Sequence, residues 1–187
     1  AGAKISHLSL LAAAGMGLVA LAIYLAPYRM ERFIAFLDPW ADPTDTGFQT
    51  IQSLLALGSG GLFGVGLGAS RQKLFYLPEK HTDFIFAIVG EELGFVGGTL
   101  ILLLFILFVW RGLKTAITVS DNFGSLLATG ITIMIAFQAI INIGVVTGSL
   151  PVTGITLPFI SYGGSSLLIT MTAVGVLLNI SRFSASK

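Results

Sequence analysis

Four long apolar runs divide the chain, at residues 8–26, 93–110, 125–147 and 165–180. The first holds 19 residues without a charge and the second 18, about 27 Å of helix at 1.5 Å per residue. A bilayer core takes roughly 20 apolar residues in one helix. The four runs therefore predict four transmembrane helices. Trp110 stands at the end of a run, where an amphipathic ring suits the headgroup layer. Lys4 precedes the first run, but that run exceeds the roughly 7–15 residues of a signal-peptide core and no A-x-A pattern follows it. It is read as a span.

The intervals between the runs are unlike one another. Residues 27–83 hold five of the ten basic residues, six of the nine acids and four of the six prolines. Asp38-Pro39-Trp40-Ala41-Asp42-Pro43 reads as consecutive turns, because residues before proline avoid the helical region. Phe48 to Leu57 reads as a short helix ending at Gly58. This interval is an extramembrane platform rather than a connector. Downstream, residues 122–181 contain no Asp, Glu, Lys, Arg or His. The interval at 148–164, with Pro151, Gly154, Pro158, Gly163 and Gly164, is expected to fold back against the bundle, where protein satisfies its backbone.

Composition agrees with this reading. The chain has 187 residues, 55% hydrophobic and 10% charged, against about 25% charged in soluble domains. So few charges cannot coat a soluble protein, and disorder needs the opposite balance. A net charge of +1 gives no basic surface for nucleic acid. The absence of cysteine excludes disulfides, thiol nucleophiles and cysteine-ligated metal. Two histidines, His7 and His81, without an HExxH motif do not suggest a histidine-rich metal site. Charge does not orient the chain, because the long interval and the opposite side carry five Lys and Arg each.

Arg71-Gln72-Lys73 and Glu79-Lys80-His81-Thr82-Asp83 form the densest polar patch. A carboxylate among cations at a membrane surface suits a general base acting on a lipid-linked substrate, and the cations suit a phosphate or pyrophosphate. Equally, Thr82 or Asp83 could cap the helix that follows. Spacing leaves both readings open. Glu91 and Glu92 would sit near the interface if residues 84–110 form one helix of about 40 Å, either as plain interfacial residues or lining a cavity. Gln138, Asn142 and Ser149 share a helix face at 100° per residue, suited to interhelical hydrogen bonds or to substrate contact. The glycine run at 58–68 contains neither GxGxxG nor GK[ST], so packing explains it better than phosphate binding.

Several motifs resemble those of the SEDS family (shape, elongation, division and sporulation). Tyr76-Leu-Pro-Glu-Lys-His-Thr-Asp-Phe-Ile-Phe-Ala-Ile-Val-Gly-Glu-Glu-Leu-Gly resembles its central signature. Phe36-Leu-Asp-Pro-Trp, Gly47-Phe-Gln-Thr-Ile-Gln-Ser and Pro151-Val-Thr-Gly-Ile-Thr-Leu-Pro-Phe-Ile-Ser-Tyr-Gly-Gly-Ser-Ser add to it. Asn179-Ile-Ser-Arg after the last loop is closer to the FtsW and SpoVE branch than to RodA.

The resemblance implies an all-α polytopic membrane protein, the C-terminal part of a SEDS helical bundle, with about four transmembrane helices and one large extracellular loop. It implies a multi-pass protein of the bacterial plasma membrane, with loop 27–83 and the second loop 148–164 outside and the C-terminus cytoplasmic. The family polymerises lipid II as peptidoglycan glycosyltransferases and works with a class B penicillin-binding protein, the transpeptidase. Its catalytic aspartate maps to Asp83. Substrate contacts are then expected at Lys73 first, and at Arg71, Arg32, Lys80 and Glu92. A divalent cation is kept as a candidate helper with no ligand set visible, and lipid II and the undecaprenyl-pyrophosphate-linked glycan are the expected membrane-bound substrates. Family members have about ten spans, so the chain reads as a fragment that is inactive alone. A lipid II flippase and a non-catalytic scaffold for the transpeptidase stand as alternatives.

Overall fold

The computed structural model describes residues 2, 4–70 and 83–184. Among them every regular element is helical: α1 (Ile5–Leu25), α2 (Pro27–Leu37), a 3-10 turn (Pro39–Ala41), α3 (Phe48–Gly60), α4 (Ile85–Thr118), α5 (Asn122–Val146) and α6 (Gly164–Ser184). The helices α1, α4, α5 and α6 are long and apolar enough to cross a membrane. The chain is an all-α polytopic membrane protein, built as two compact units that meet at residues 48 and 49.

In the first unit α1 is apolar all round and buries none of its side chains, as a helix does when lipid or other helices are its surroundings. Pro27 supplies a preset first turn for α2. The stretch after α2 turns as its proline spacing predicts. Asp38 accepts from the Trp40 amide at 3.1 Å. Asp42 accepts from the Asp45 amide and the Thr44 hydroxyl, both at 3.2 Å. Slight desolvation, which raises a carboxyl's pKa, is outweighed there by hydrogen bonds from the Asp45 amide, the Thr44 hydroxyl and the Thr44 and Thr46 amides, so Asp42 ionises below the usual carboxylate range. Gly47 closes the turn against backbone: a β-carbon there would sit 1.9 Å from the Pro39 carbonyl oxygen.

In the second unit α4 packs along α5, and both contact α6. One apolar cluster lies towards the start of α4, around Phe84, Phe86, Ala139, Val146 and Leu157. Another lies towards its far end, around Ala116, Ala128, Ile131, Ile135 and Leu177. α3 joins the first cluster through Ala56. It approaches α4 so closely that a β-carbon on Gly60 would lie 2.0 Å from the Gly90 carbonyl oxygen. Ser53 of α3 donates to the Val146 carbonyl at the end of α5, at 2.5 Å.

Two elements differ from the sequence reading. Residues 84–110 do not form one uninterrupted helix: Gly94 breaks α4, with φ 67° and ψ −165°. α5 ends at Val146, so Ser149 lies beyond the helix and does not share a face with Gln138 and Asn142. The turn at Gly148, with φ 67°, takes the chain off the helical path before Ser149.

Candidate functional site

Two places carry the candidate site, the start of α4 beside Asp83 and the break in α4 at Gly94. Phe84 is the N-cap residue of α4 and makes no side-chain cap hydrogen bond. Asp83 stands one residue before that position, and Thr82, the other capping candidate, lies outside the described residues. Phe84 is 1% exposed and anchors this entry to the helix in the first apolar cluster.

Asp83 itself is half-buried. Asn142, 1% exposed on α5, donates through Nδ2 to the Asp83 carbonyl at 2.7 Å and to the Ile155 carbonyl at 2.8 Å. One amide group thus ties the start of α4 to the loop between α5 and α6. The same loop passes the carboxylate: a β-carbon on Gly154 would lie 3.5 Å from Asp83 Oδ2. Leu157 and Val152 of the loop join the Phe84 cluster. Two stretches far apart in sequence, Asp83-Phe84 and the 151–158 part of the loop, therefore meet at Asp83.

That loop is shaped by its own polar groups. Ser161 Oγ accepts from the Leu157 amide at 2.7 Å, and the Ser161 amide donates to the Leu157 carbonyl at 3.0 Å. Thr156 and Ser166 hydroxyls meet at 3.2 Å. Phe159 adopts φ 68°, costly for a residue with a side chain, and its ring rests against Phe105 and Phe108 of α4, 6.4 and 6.0 Å between centroids.

The second piece is the break. An uninterrupted α4 would bond the Phe95 amide to the Glu91 carbonyl and the Val96 amide to the Glu92 carbonyl. Instead Phe95 donates to Gly61 at 2.9 Å and Val96 to Leu62 at 3.1 Å, while the Glu91 and Glu92 carbonyls accept from Val65 at 3.0 Å and Gly66 at 3.1 Å. Glycine-rich residues 61–66 thus enter the helix and restore all four bonds. The close approach requires glycine on both sides: a β-carbon on Gly94 would lie 2.3 Å from the Gly64 nitrogen, and one on Gly64 would lie 2.1 Å from the Glu92 carbonyl oxygen. Glu91 is 2% exposed and accepts a hydrogen bond from the Ser70 hydroxyl.

Of the residues singled out from the sequence, Asp83 and Glu92 both lie at this end of α4, Glu92 half-buried at the break. Arg32 is exposed on α2 in the other unit. Arg71, Lys73 and Lys80 lie outside the described residues. Among the described residues no three His, Asp or Glu side chains form a group that could hold a metal ion. Sequence reasoning gave no role to Ser70 and singled out Glu92 rather than its buried neighbour Glu91. A glycine two residues after an acidic pair in an apolar run, Glu91-Glu92-Leu93-Gly94, was the available signal for the break. Asn142 was visible as a polar position, but not its two partners.

The profile of the FtsW, RodA and SpoVE family, described as cell cycle proteins, matches residues 1–186. Stage V sporulation protein E of Bacillus subtilis (strain 168) is 62% identical over 185 residues, 98% of this chain and 50% of that protein. The probable peptidoglycan glycosyltransferase FtsW of Geobacter sp. (strain M18) is 55% identical over 186 residues, 97% of this chain and 49% of that protein. Among solved structures, a chain from work on the structural coordination of polymerization and crosslinking by a peptidoglycan synthase complex is similar with a TM-score of 0.73. Its identity is 34%, over 97% of this chain and 50% of that one. Rod shape determining protein RodA of Thermus thermophilus is similar with a TM-score of 0.54 and 38% identity, over 72% of this chain and 40% of that one. The chain spans about half the length of the curated relatives it matches.

Proposed function

Because the chain belongs to the FtsW, RodA and SpoVE family of cell cycle proteins, we propose that it forms part of a peptidoglycan glycosyltransferase that polymerises lipid II. Asp83 is the general base in this reading. As a carboxylate it takes the proton from the sugar 4-hydroxyl of the acceptor lipid II. That oxygen attacks the anomeric carbon of the growing chain, the bond to undecaprenyl pyrophosphate breaks, and an α-linked donor gives a β-1,4 product. The pyrophosphate leaves with two or more negative charges and needs cations beside it. Lys73 is the first candidate, followed by Arg71, Lys80 and Arg32, and Glu92 is a further polar contact for the substrate.

The observation that supports the reading best is the Asn142 bridge, which fixes the backbone of Asp83 against the 148–163 loop. A general base works only when its geometry is held, and this one is held from a second helix. In the cell, loop 27–83 faces outward and Lys4, Arg111 and the C-terminal tail face the cytoplasm. A class B penicillin-binding protein is the partner that crosslinks the product.

The test is glycan-chain formation from purified lipid II by the full-length protein with its transpeptidase partner. Asp83→Asn is expected to reduce polymer by at least about 100-fold, the lower range for loss of a general base, with partner binding unchanged. Normal polymer from that variant would falsify the assignment. A second reading, lipid II translocation, draws on the interruption of α4 at Gly94, since transporters place broken helices at their substrate sites. Translocation by purified protein at full rate after Asp83→Asn, with no polymer from the wild type, is the outcome that favours it.

A further inference from the structure

Far from Asp83, at the end of α4 that carries Trp110, a cavity of about 520 Å³ opens between α4 and α6. Arg111, Lys114, Thr118 and Ser181 line it together with an apolar part formed by Phe108 and Leu177, and among the described residues no carboxylate lines it. Both cations are exposed. They also flank the Trp110 ring, the Arg111 Cζ and the Lys114 Nζ each 5.6 Å from its centroid, within cation–π range.

Depth gives the arrangement its meaning. A tryptophan at a span end sits at headgroup level, so the two cations beside it lie at the depth of lipid phosphates. The apolar part of the cavity lies further along α4 at Phe108, about 5 Å from Arg111 and about 9 Å from Lys114 along the helix axis, towards the depth of the first acyl carbons. A soluble anion would leave that apolar lining unused, and a neutral lipid would leave two cations without a counter-charge. We infer that this cavity binds the headgroup of an anionic phospholipid, its phosphate on Arg111 and Lys114 and its glycerol and upper acyl carbons against Phe108 and Leu177. Basic pockets between helices are the form such sites take. The site is separate from the glycosyl-transfer reading and does not depend on it.

The test uses the full-length protein in nanodiscs of phosphatidylcholine with dibrominated phosphatidylglycerol, and the converse mixture. Quenching of Trp110 emission is isolated as the difference from a Trp110→Phe protein. Phosphatidylglycerol is expected to be preferred about ten-fold at this tryptophan, given two cations near the surface. The double variant Arg111→Gln with Lys114→Gln brings the preference to about one, Arg111→Lys retains it, and Val174→Phe, on the α6 wall of the cavity, lowers it by filling the cavity with both cations intact. No preference in the wild type overturns the site, as does a preference that survives the double substitution. A preference unchanged by Val174→Phe makes the cations a bare surface patch and also overturns it. Loss of the preference on adding inorganic phosphate reassigns the cavity to soluble phosphates.

Discussion

α4 and α5 are neighbours of similar composition, yet one is broken and the other is not. α5 opens on an Asp121 side chain that accepts from the Gly124 amide at 2.7 Å and runs without interruption to Val146. α4 opens on Phe84, which makes no side-chain cap hydrogen bond, and breaks at Gly94. Lipid offers no hydrogen bonds to a broken helix, and each unsatisfied backbone group there costs several kcal/mol. The break in α4 is therefore not a weak point in the apolar run. It is where a second piece of backbone, residues 61–66, has been folded into the helix. The candidate site lies on the broken helix, and the unbroken one supplies the fixed reference through Asn142. Irregular backbone and rigid support are divided between two adjacent elements.

Gly94→Ala should have the largest effect. Its φ and ψ belong to a region essentially reserved for glycine, at about 1–3 kcal/mol for strain alone, and the new β-carbon would overlap backbone of the inserted loop. Loss of the folded fraction in thermal melting, together with more than ten-fold less polymer, is the expected outcome. Wild-type behaviour would mean that the loop does not occupy the break. Asn142→Ala comes next. It strips two half-buried carbonyls of their Asn142 donor, at up to about 1–3 kcal/mol each, and should lower the turnover number more than it changes the Michaelis constant, because it loosens Asp83 rather than a substrate contact. Ser70→Ala removes one hydrogen bond to the buried Glu91 and should cost about 1–2 kcal/mol, read as a lower melting temperature. At the other extreme is Gly130→Ala in α5. Its β-carbon would meet nothing within 4 Å, so the change should stabilise by about 0.5–1 kcal/mol. Equal penalties at Gly94 and Gly130 would abolish the distinction between the two helices.

The apolar runs were legible because transfer energy accumulates over many residues, and each of the four lies largely within a helix. The start of α4 was harder to place. Gly90, Glu91 and Glu92 interrupt the hydropathy, so the run seemed to begin at Leu93 although the helix begins at Ile85. Ser149 was misplaced because a periodicity argument cannot see the turn at Gly148 that ends α5. The pairing of residues 61–66 with 91–96 was invisible for a stronger reason. It is made entirely by main-chain atoms, and its only trace in the sequence is a surplus of glycine, which fits a packing reading equally well. Asn142 was seen as a polar position on a helix, but a side chain that joins Asp83 to Ile155 belongs to contacts 59 and 13 residues away in sequence. Local pattern carries no information about such partners.

The exchange of bonds at Gly94 also bears on how the protein enters its membrane. Residues 61–66 leave the ribosome before α4 does, and α4 on its own would meet lipid with two bare amides and two bare carbonyls about three turns from its start. Delivery of the glycine-rich segment and the helix to the bilayer as one hairpin-like parcel avoids that exposure, whereas release of the helix into lipid before it has paired with that segment does not. The biogenesis of this region is thereby coupled: a cut in the chain between Ser70 and Asp83 would separate two segments that can each be inserted cleanly only in the company of the other.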